Sequence, residues 1–145
     1  MIKTTQSISE AYIKKPNIPR GQGIAGAVAL TGKPIQVLDV KKDKRYINRE
    51  IAKKENLCSL LSVPLSVRKR IIGVLNCYTS TPHRFNSTEI DIITTVANQA
   101  AIVIENARIL VESQIIHNEL QTRKLVDRAK SILIKEMKIF EEEAY

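Results

Sequence analysis

The chain has 145 residues, 43% of them hydrophobic, and a mean hydropathy of −0.13, which fits one globular domain with an extension. No apolar run approaches the roughly 18 residues that cross a bilayer. Met1 leads into polar residues rather than a signal core, and Cys58 and Cys77 make no disulfide framework, so a membrane protein and a secreted one are not expected and a cytoplasmic one is. The net charge of +8 is uneven, with +11 over residues 1–86 and −3 over residues 87–145, and aromatics at 4% offer no stacking platform for nucleic acid.

Residues 1–20 are polar and irregular, with Pro16 and Pro19 opposing a helix. A short glycine-bounded helix is predicted from Ile24 to Leu30, then a turn at Thr31-Gly32 and a β-branched strand from Pro34 to Val40. Lys41 to Asn56 is a basic connector, in which the spacing of Ile47 and Ile51 predicts a short helix with one buried face. Cys58–Val67 and Arg70–Ser80 are apolar at nearly every position, so both are predicted to be strands covered on both faces. Only Arg68-Lys69 separates them, which makes an antiparallel hairpin.

Asn86 is a good helix N-cap, Glu89 completes a capping box, and Phe85 and Ile90 are spaced as a hydrophobic staple. No Gly or Pro follows up to Tyr145, so the helix can run for about 48 residues or more, roughly 70 Å. Its apolar positions continue through Ile104, Ala107, Val111, Ile115, Leu120, Leu125, Ala129 and Ile132, with Asn118 and Thr122 interrupting the seam. The later part has nothing in the chain to cover it, which predicts a homodimer through the long C-terminal helix.

Gly21 to Gly26 reads GQGIAG, a literal G-x-G-x-x-G. A dinucleotide loop needs a strand before it and a long helix after it, and neither is predicted here. Tight turning and close backbone approach are the expected roles of these glycines.

The ordered set PNIPRGQGIAGAVALTGKPIQVLDV, DKRY, SLLSVPLSVRKRIIGVLNCYTSTPHRF and TEIDIITTVANQAAIVIENARI resembles the GAF domain over Gln6 to Leu110. The resemblance implies an α+β fold, an antiparallel sheet with helices on both sides, whose first strands are missing from this chain. It also implies small-molecule sensing, dimerisation through the exiting helix, and a pocket under the basic connector. Candidate lining residues are Asp39, Tyr46, Ile51, Leu57, Ser59 and Asn76, although Asp39 could instead cap the connector and Ser59 could bond to backbone. GAF domains for cyclic nucleotides carry an Asn-Lys…Phe…Asp-Glu pattern. Here Cys77 follows Asn76, and Phe85 leads to Thr88-Glu89, so that pattern is broken. GAF-type methionine sulfoxide reductases carry a cysteine in the glycine loop, where this chain has Ala25. The chain is therefore expected to be no enzyme, and thiol chemistry at Cys58 and Cys77 is the opposing alternative. No metal site is expected; Asp39, Asp43, Tyr46 and Cys58 are the weak candidates, and His83 and His117 make no pair. The ligand is left unnamed, and no cofactor is assigned.

The tail LQTRKLVDRAKSIL, Leu120 to Leu133, resembles the opening helix of the ANTAR domain, and Glu141 to Tyr145 resemble the entry to its second helix. Lys138 and Phe140 depart from the turn that the family places between them. ANTAR domains bind RNA in transcription antitermination. The two resemblances together imply a sensor domain over 1–110, a coiled-coil linker and ANTAR start over 111–145, and a fragment cut inside its output. RNA is expected as a partner only of a complete ANTAR domain, and no membrane is expected. Input to a histidine kinase or a transcription activator is the alternative output.

Overall fold

The structure is a computed structural model that describes Lys14 and residues 17–143. Most of the irregular opening expected for residues 1–20 lies outside the described residues, as do Ala144 and Tyr145 at the end of the ANTAR-like stretch. The elements in chain order are α1 (Gly23–Thr31), β1 (Ile35–Val37), α2 (Arg49–Lys54), β2 (Leu60–Val67), β3 (Arg70–Tyr78) and α3 (Ser87–Glu143). The chain divides into two compact units, one up to Glu105 and one from Asn106 onward.

In the first unit the three strands form one antiparallel sheet in the order β1-β2-β3. Ile35 faces Ser62 across the first pairing, and Ser62 faces Asn76 across the second. Thr79 N–H donates to Ser59 O, so β2 residues bond β3 at alternate positions and face β1 between them. Pro64 falls on the β1-facing set, beyond the end of β1 at Ser62, where its missing N–H costs nothing. The hairpin turns on Arg68 and Lys69, both left-handed at φ 49° and 66°, the conformation that a two-residue turn requires.

Two apolar clusters lie on opposite faces, as the alternation along β2 requires. Leu60 joins Ile24 of α1, Val37 and Val40 of the β1 region, and Tyr46, Ala52 and Leu57 of the connector. Leu61 and Val63 join Phe85 and Ala97, with Ile90 and Ile93 of α3 packed against them. The expectation of coverage on both faces holds for β2, which is buried from Leu60 to Pro64, and fails for β3. β3 is half-buried from Ile71 to Tyr78 because, among the described residues, it pairs with β2 alone.

Two glycines meet backbone demands that other residues meet poorly. Gly32 closes α1 in the left-handed region at φ 69° and donates its N–H to Val28 O at 2.8 Å. A Cβ on Gly26 would stand 2.6 Å from Pro19 O, so the G-x-G-x-x-G sequence serves backbone packing. The strand predicted to reach Val40 ends at Val37, and the connector helix is anchored by Ala52, fully buried. Of the pair expected on its buried face, Ile51 is half-buried and Ile47 is 54% exposed, because Ile47 precedes the helix and reaches toward Gly23 instead.

The start of α3 has the predicted cap. Glu89 N–H donates to Asn86 Oδ1 at 2.9 Å and Asn86 N–H donates to Glu89 Oε2 at 2.8 Å. Phe85 is buried and Ile90 packs in the same cluster, which is the staple. Ala97 and Ala101 are fully buried, and Arg70 pairs with Glu105. In the second unit, every residue from Asn106 to Ile132 is exposed, and the helix runs through Lys138 and Phe140 without a turn.

A polar patch on the connector side of the sheet

The face carrying Leu60 is built mainly from apolar side chains, yet four polar groups interrupt it. Tyr46 from the connector and Tyr78 from β3 meet edge to face with ring centroids 6.4 Å apart, and their hydroxyls lie 3.1 Å apart. Ser62 on β2, fully buried, stands opposite Asn76 on β3. Ser62 Oγ and Asn76 Oδ1 are both buried without a hydrogen-bond partner. An unpaired buried polar atom costs about 1–3 kcal/mol, so two adjacent ones mark a place where the fold gives up stability. The register puts Ile35 beside Ser62 on the same face, and α1 packs across β2 and β3 there.

The residues singled out in the sequence fall into three groups. Tyr46 and Leu57 are buried in the connector-side cluster, and Asn76 lies on the same face of the sheet, two residues before Tyr78. Asp39 holds the connector turn, where its Oδ1 accepts the Lys41 N–H at 3.0 Å and its Oδ2 lies 3.7 Å from Lys42 Nζ. Ser59 is fully buried and bonded twice, donating to Leu38 O at 2.6 Å and accepting the His83 N–H at 2.8 Å. Ile51 lies half-buried in α2. Ser62 and Tyr78 are absent from the sequence-derived set. Their signal was a polar atom inside an apolar strand, legible only once the register set Ser62 against Asn76.

The connector's charges are largely organised among themselves. Arg45 donates to both carboxylate oxygens of Asp43, at 3.0 and 2.7 Å, and this bond holds the Asp43 carboxyl below its usual range. The same contact raises the Arg45 guanidinium, and a hydrogen bond from Lys53 lowers Glu50. The Arg49 guanidinium donates to Tyr46 O and Lys44 O. Burial pushes the Cys77 thiol up, so its thiolate fraction at neutral pH is small. Among the described residues no cluster of three His, Cys, Asp or Glu side chains is set to hold a metal ion.

The sequence profile of the GAF domain matches residues 5–105, well over half of the chain. The chain belongs to the GAF domain family. Its fold is similar to the GAF domain of a phosphoenolpyruvate-protein phosphotransferase from Coxiella burnetii, with 24% identity and a TM-score of 0.63 over 71% of this chain and 61% of that one. It is also similar to a free methionine-R-sulfoxide reductase from Neisseria meningitidis in complex with its substrate, with 27% identity and a TM-score of 0.52 over 63% and 52% of the two chains. A type II free methionine-R-sulfoxide reductase from Thermoplasma acidophilum matches at 18% identity and a TM-score of 0.52, over 61% and 60%. The chain spans less than two thirds of each of these structures. No curated protein matches it. The family is one of signalling and sensor domains, and the reductases show that the GAF fold also supports an enzyme. No described helix is long and apolar enough to cross a membrane.

Proposed function

We propose that this GAF domain is the ligand-sensing part of a dimeric regulator, with two copies pairing along α3. The observation that carries the reading is the apolar surface of α3. Thirteen of the sixteen large apolar side chains exposed among the described residues lie on this helix. Val96, Val103 and Leu110 repeat at intervals of seven, as do Val111, Leu125 and Ile132 around the polar Asn118. Burying half of the thirteen at about 1.5–3 kcal/mol each is comparable to the roughly 4–15 kcal/mol that association costs. A second copy of the helix supplies matching apolar positions at the same spacing.

In this reading the ligand is a small molecule held on the connector side of the sheet by Asp39, Tyr46, Ile51, Leu57, Ser59 and Asn76, with Ser62 beside Asn76. The orphaned pair Ser62 and Asn76 supports that placement, because a bound polar group would satisfy both atoms. The proposed output is RNA-dependent antitermination, supported by the ANTAR resemblance of Leu120 to Leu133. RNA would be a partner only of a complete ANTAR domain, and the setting would be cytoplasmic. The unbroken helix through Lys138 equally suits a signalling helix that feeds a kinase or a transcription activator.

Native mass spectrometry of the purified chain tests both parts. A dimer carrying extra mass supports pairing and sensing together. A monomer removes the pairing mechanism, and a dimer with no added mass under any extract supplied removes the sensing one. The likeness to the Neisseria meningitidis reductase favours one further reading, thiol-dependent reduction at Cys58 and Cys77. Assaying free methionine sulfoxide reduction by the wild type and by Cys58→Ser and Cys77→Ser decides it, and the raised Cys77 thiol predicts no turnover.

A further inference from the structure

The segment from Thr79 to Asn86 joins the sheet to α3, and its hydrogen bonds form a pattern that packing alone does not require. Gln36 of β1 bonds the backbone of Phe85 twice: its side-chain nitrogen donates to Phe85 O at 3.3 Å, and Phe85 N–H donates to its Oε1 at 3.1 Å. Two residues earlier, His83 N–H donates to Ser59 Oγ, whose hydroxyl donates in turn to Leu38 O. Gln36 and Leu38 are two apart on the β1 side, and Phe85 and His83 are two apart on the segment. β1 and the segment are thus stitched like paired strands, with side chains bridging where backbone does not reach. The far end of the stitch is the cap of α3. His83 Nε2 lies 3.0 and 3.1 Å from the two carboxylate oxygens of Glu89, and Glu89 accepts the Asn86 N–H. The His83 ring stands edge-on to Phe85 at 4.9 Å, and Phe85 is buried against the Ala97 cluster.

We propose that Gln36, Ser59 and His83 form a latch that couples the end of β1 to the first turn of α3. Leu38 is the residue before Asp39, whose carboxylate holds the connector turn. A displacement of the connector that draws Leu38 away takes the acceptor from Ser59. The fully buried Ser59 hydroxyl must then reorient, and the His83 N–H loses its anchor. Gln36 keeps Phe85 on β1, so the segment either follows the strand or gives up both bonds. In the first case the residues that cap α3 move with β1, in the second they are released from it, and both arrangements differ from the latched one in how well Glu89 closes the cap. Gln36, Ser59 and His83 are positioning residues in this scheme. The coupling rests on the sensor reading only in taking the connector as the side on which a signal arrives.

Hydrogen exchange of the full chain tests this without any ligand. Asp39→Ala, which loosens the connector turn, is expected to speed exchange of the Ile90 to Ile93 amides by about two- to tenfold, the equivalent of one lost hydrogen bond. In a background carrying both Gln36→Leu and Ser59→Ala the same substitution is expected to add little, because both bonds of the stitch are already cut. The β2–β3 ladder between Leu61 and Cys77 should keep its protection in both. Gln36→Glu retains the acceptor for Phe85 N–H and loses the donor, so it should fall between wild type and Gln36→Leu, and it replaces Gln36→Leu if that variant fails to fold. The proposal is overturned if Asp39→Ala keeps its full effect in the doubly substituted background, if the α3 amides ignore Asp39→Ala, or if the ladder loosens to the same extent. A chain shown to carry no ligand leaves this result untouched, so the two readings fail separately.

Discussion

The two faces of the sheet draw on the same strands and differ in what they bury. The α3 side sets Leu61, Val63, Leu65 and Leu75 against Phe85, Ile90, Ile93 and Ala97, with apolar contact throughout the cluster. The connector side sets Leu60, Val37 and Ile24 beside Ser62, Asn76 and the Tyr46–Tyr78 hydroxyl pair. α3 carries one orphaned polar atom, Thr94 Oγ1, whereas the connector side carries two that stand opposite each other on β2 and β3. Two adjacent orphans are a cost that a bound polar group would relieve, and the opposite face holds the start of α3 by apolar burial.

The largest effect should come from the α3 side. Leu61 and Val63 are fully buried, so Leu61→Ala should cost about 2–5 kcal/mol in a urea titration. Ser62 is equally buried on the opposite face, yet Ser62→Ala removes an orphan rather than a contact. That variant should be unchanged or more stable by up to about 1 kcal/mol, and with Asn76→Leu the gain should persist. A loss of several kcal/mol from Ser62→Ala would erase the contrast between the faces.

Next in size is the pairing of copies. Val103 and Leu110 are 67% and 66% exposed and contribute little to the first unit. Val103→Asp with Leu110→Asp should turn a dimer into a monomer by light scattering, shifting the dissociation constant by at least about a hundredfold. The far-UV signal of the sheet should survive. Monomers that also lose the sheet would show that unit stability and pairing are not separable.

Much of this was legible in the sequence, for physical reasons that differ along the chain. The α3 cap was readable because Asn86, Glu89, Phe85 and Ile90 act within one turn of helix. The hairpin was readable because two residues between apolar runs leave the backbone few alternatives. The exposure of β3 was not, because apolar content alone does not say whether a strand has neighbours on both edges. Asp39 and Ser59 could be read as capping or ligand residues, and the structure shows the bonds by which both already serve the backbone. Ser62 was missed because its significance lies in a partner fourteen residues away. Gln36 was missed because an exposed polar residue in a short strand carries no sequence signal of its bonds to Phe85.

The smallest effect is a matter of pH and tests how firmly the α3 side is held at its start. The backbone N–H of Asn86, with a further contribution from the hydrogen bond to His83, holds the Glu89 carboxyl below its usual range. A depressed carboxyl stabilises the folded state above its unfolded value, about 4.3, and the contribution disappears as pH falls through the lower folded value. Asn86→Ala should cost about 1 kcal/mol near neutral pH through the lost cap. Glu89→Gln keeps an acceptor but no charge, so it should melt below the wild type at pH 6, and the two curves should converge as pH drops below the glutamate range. A variant that melts with or above the wild type at pH 6 would mean that the charge does not support the cap, and α3 would then be held by Phe85 and Gln36 rather than by its own first turn.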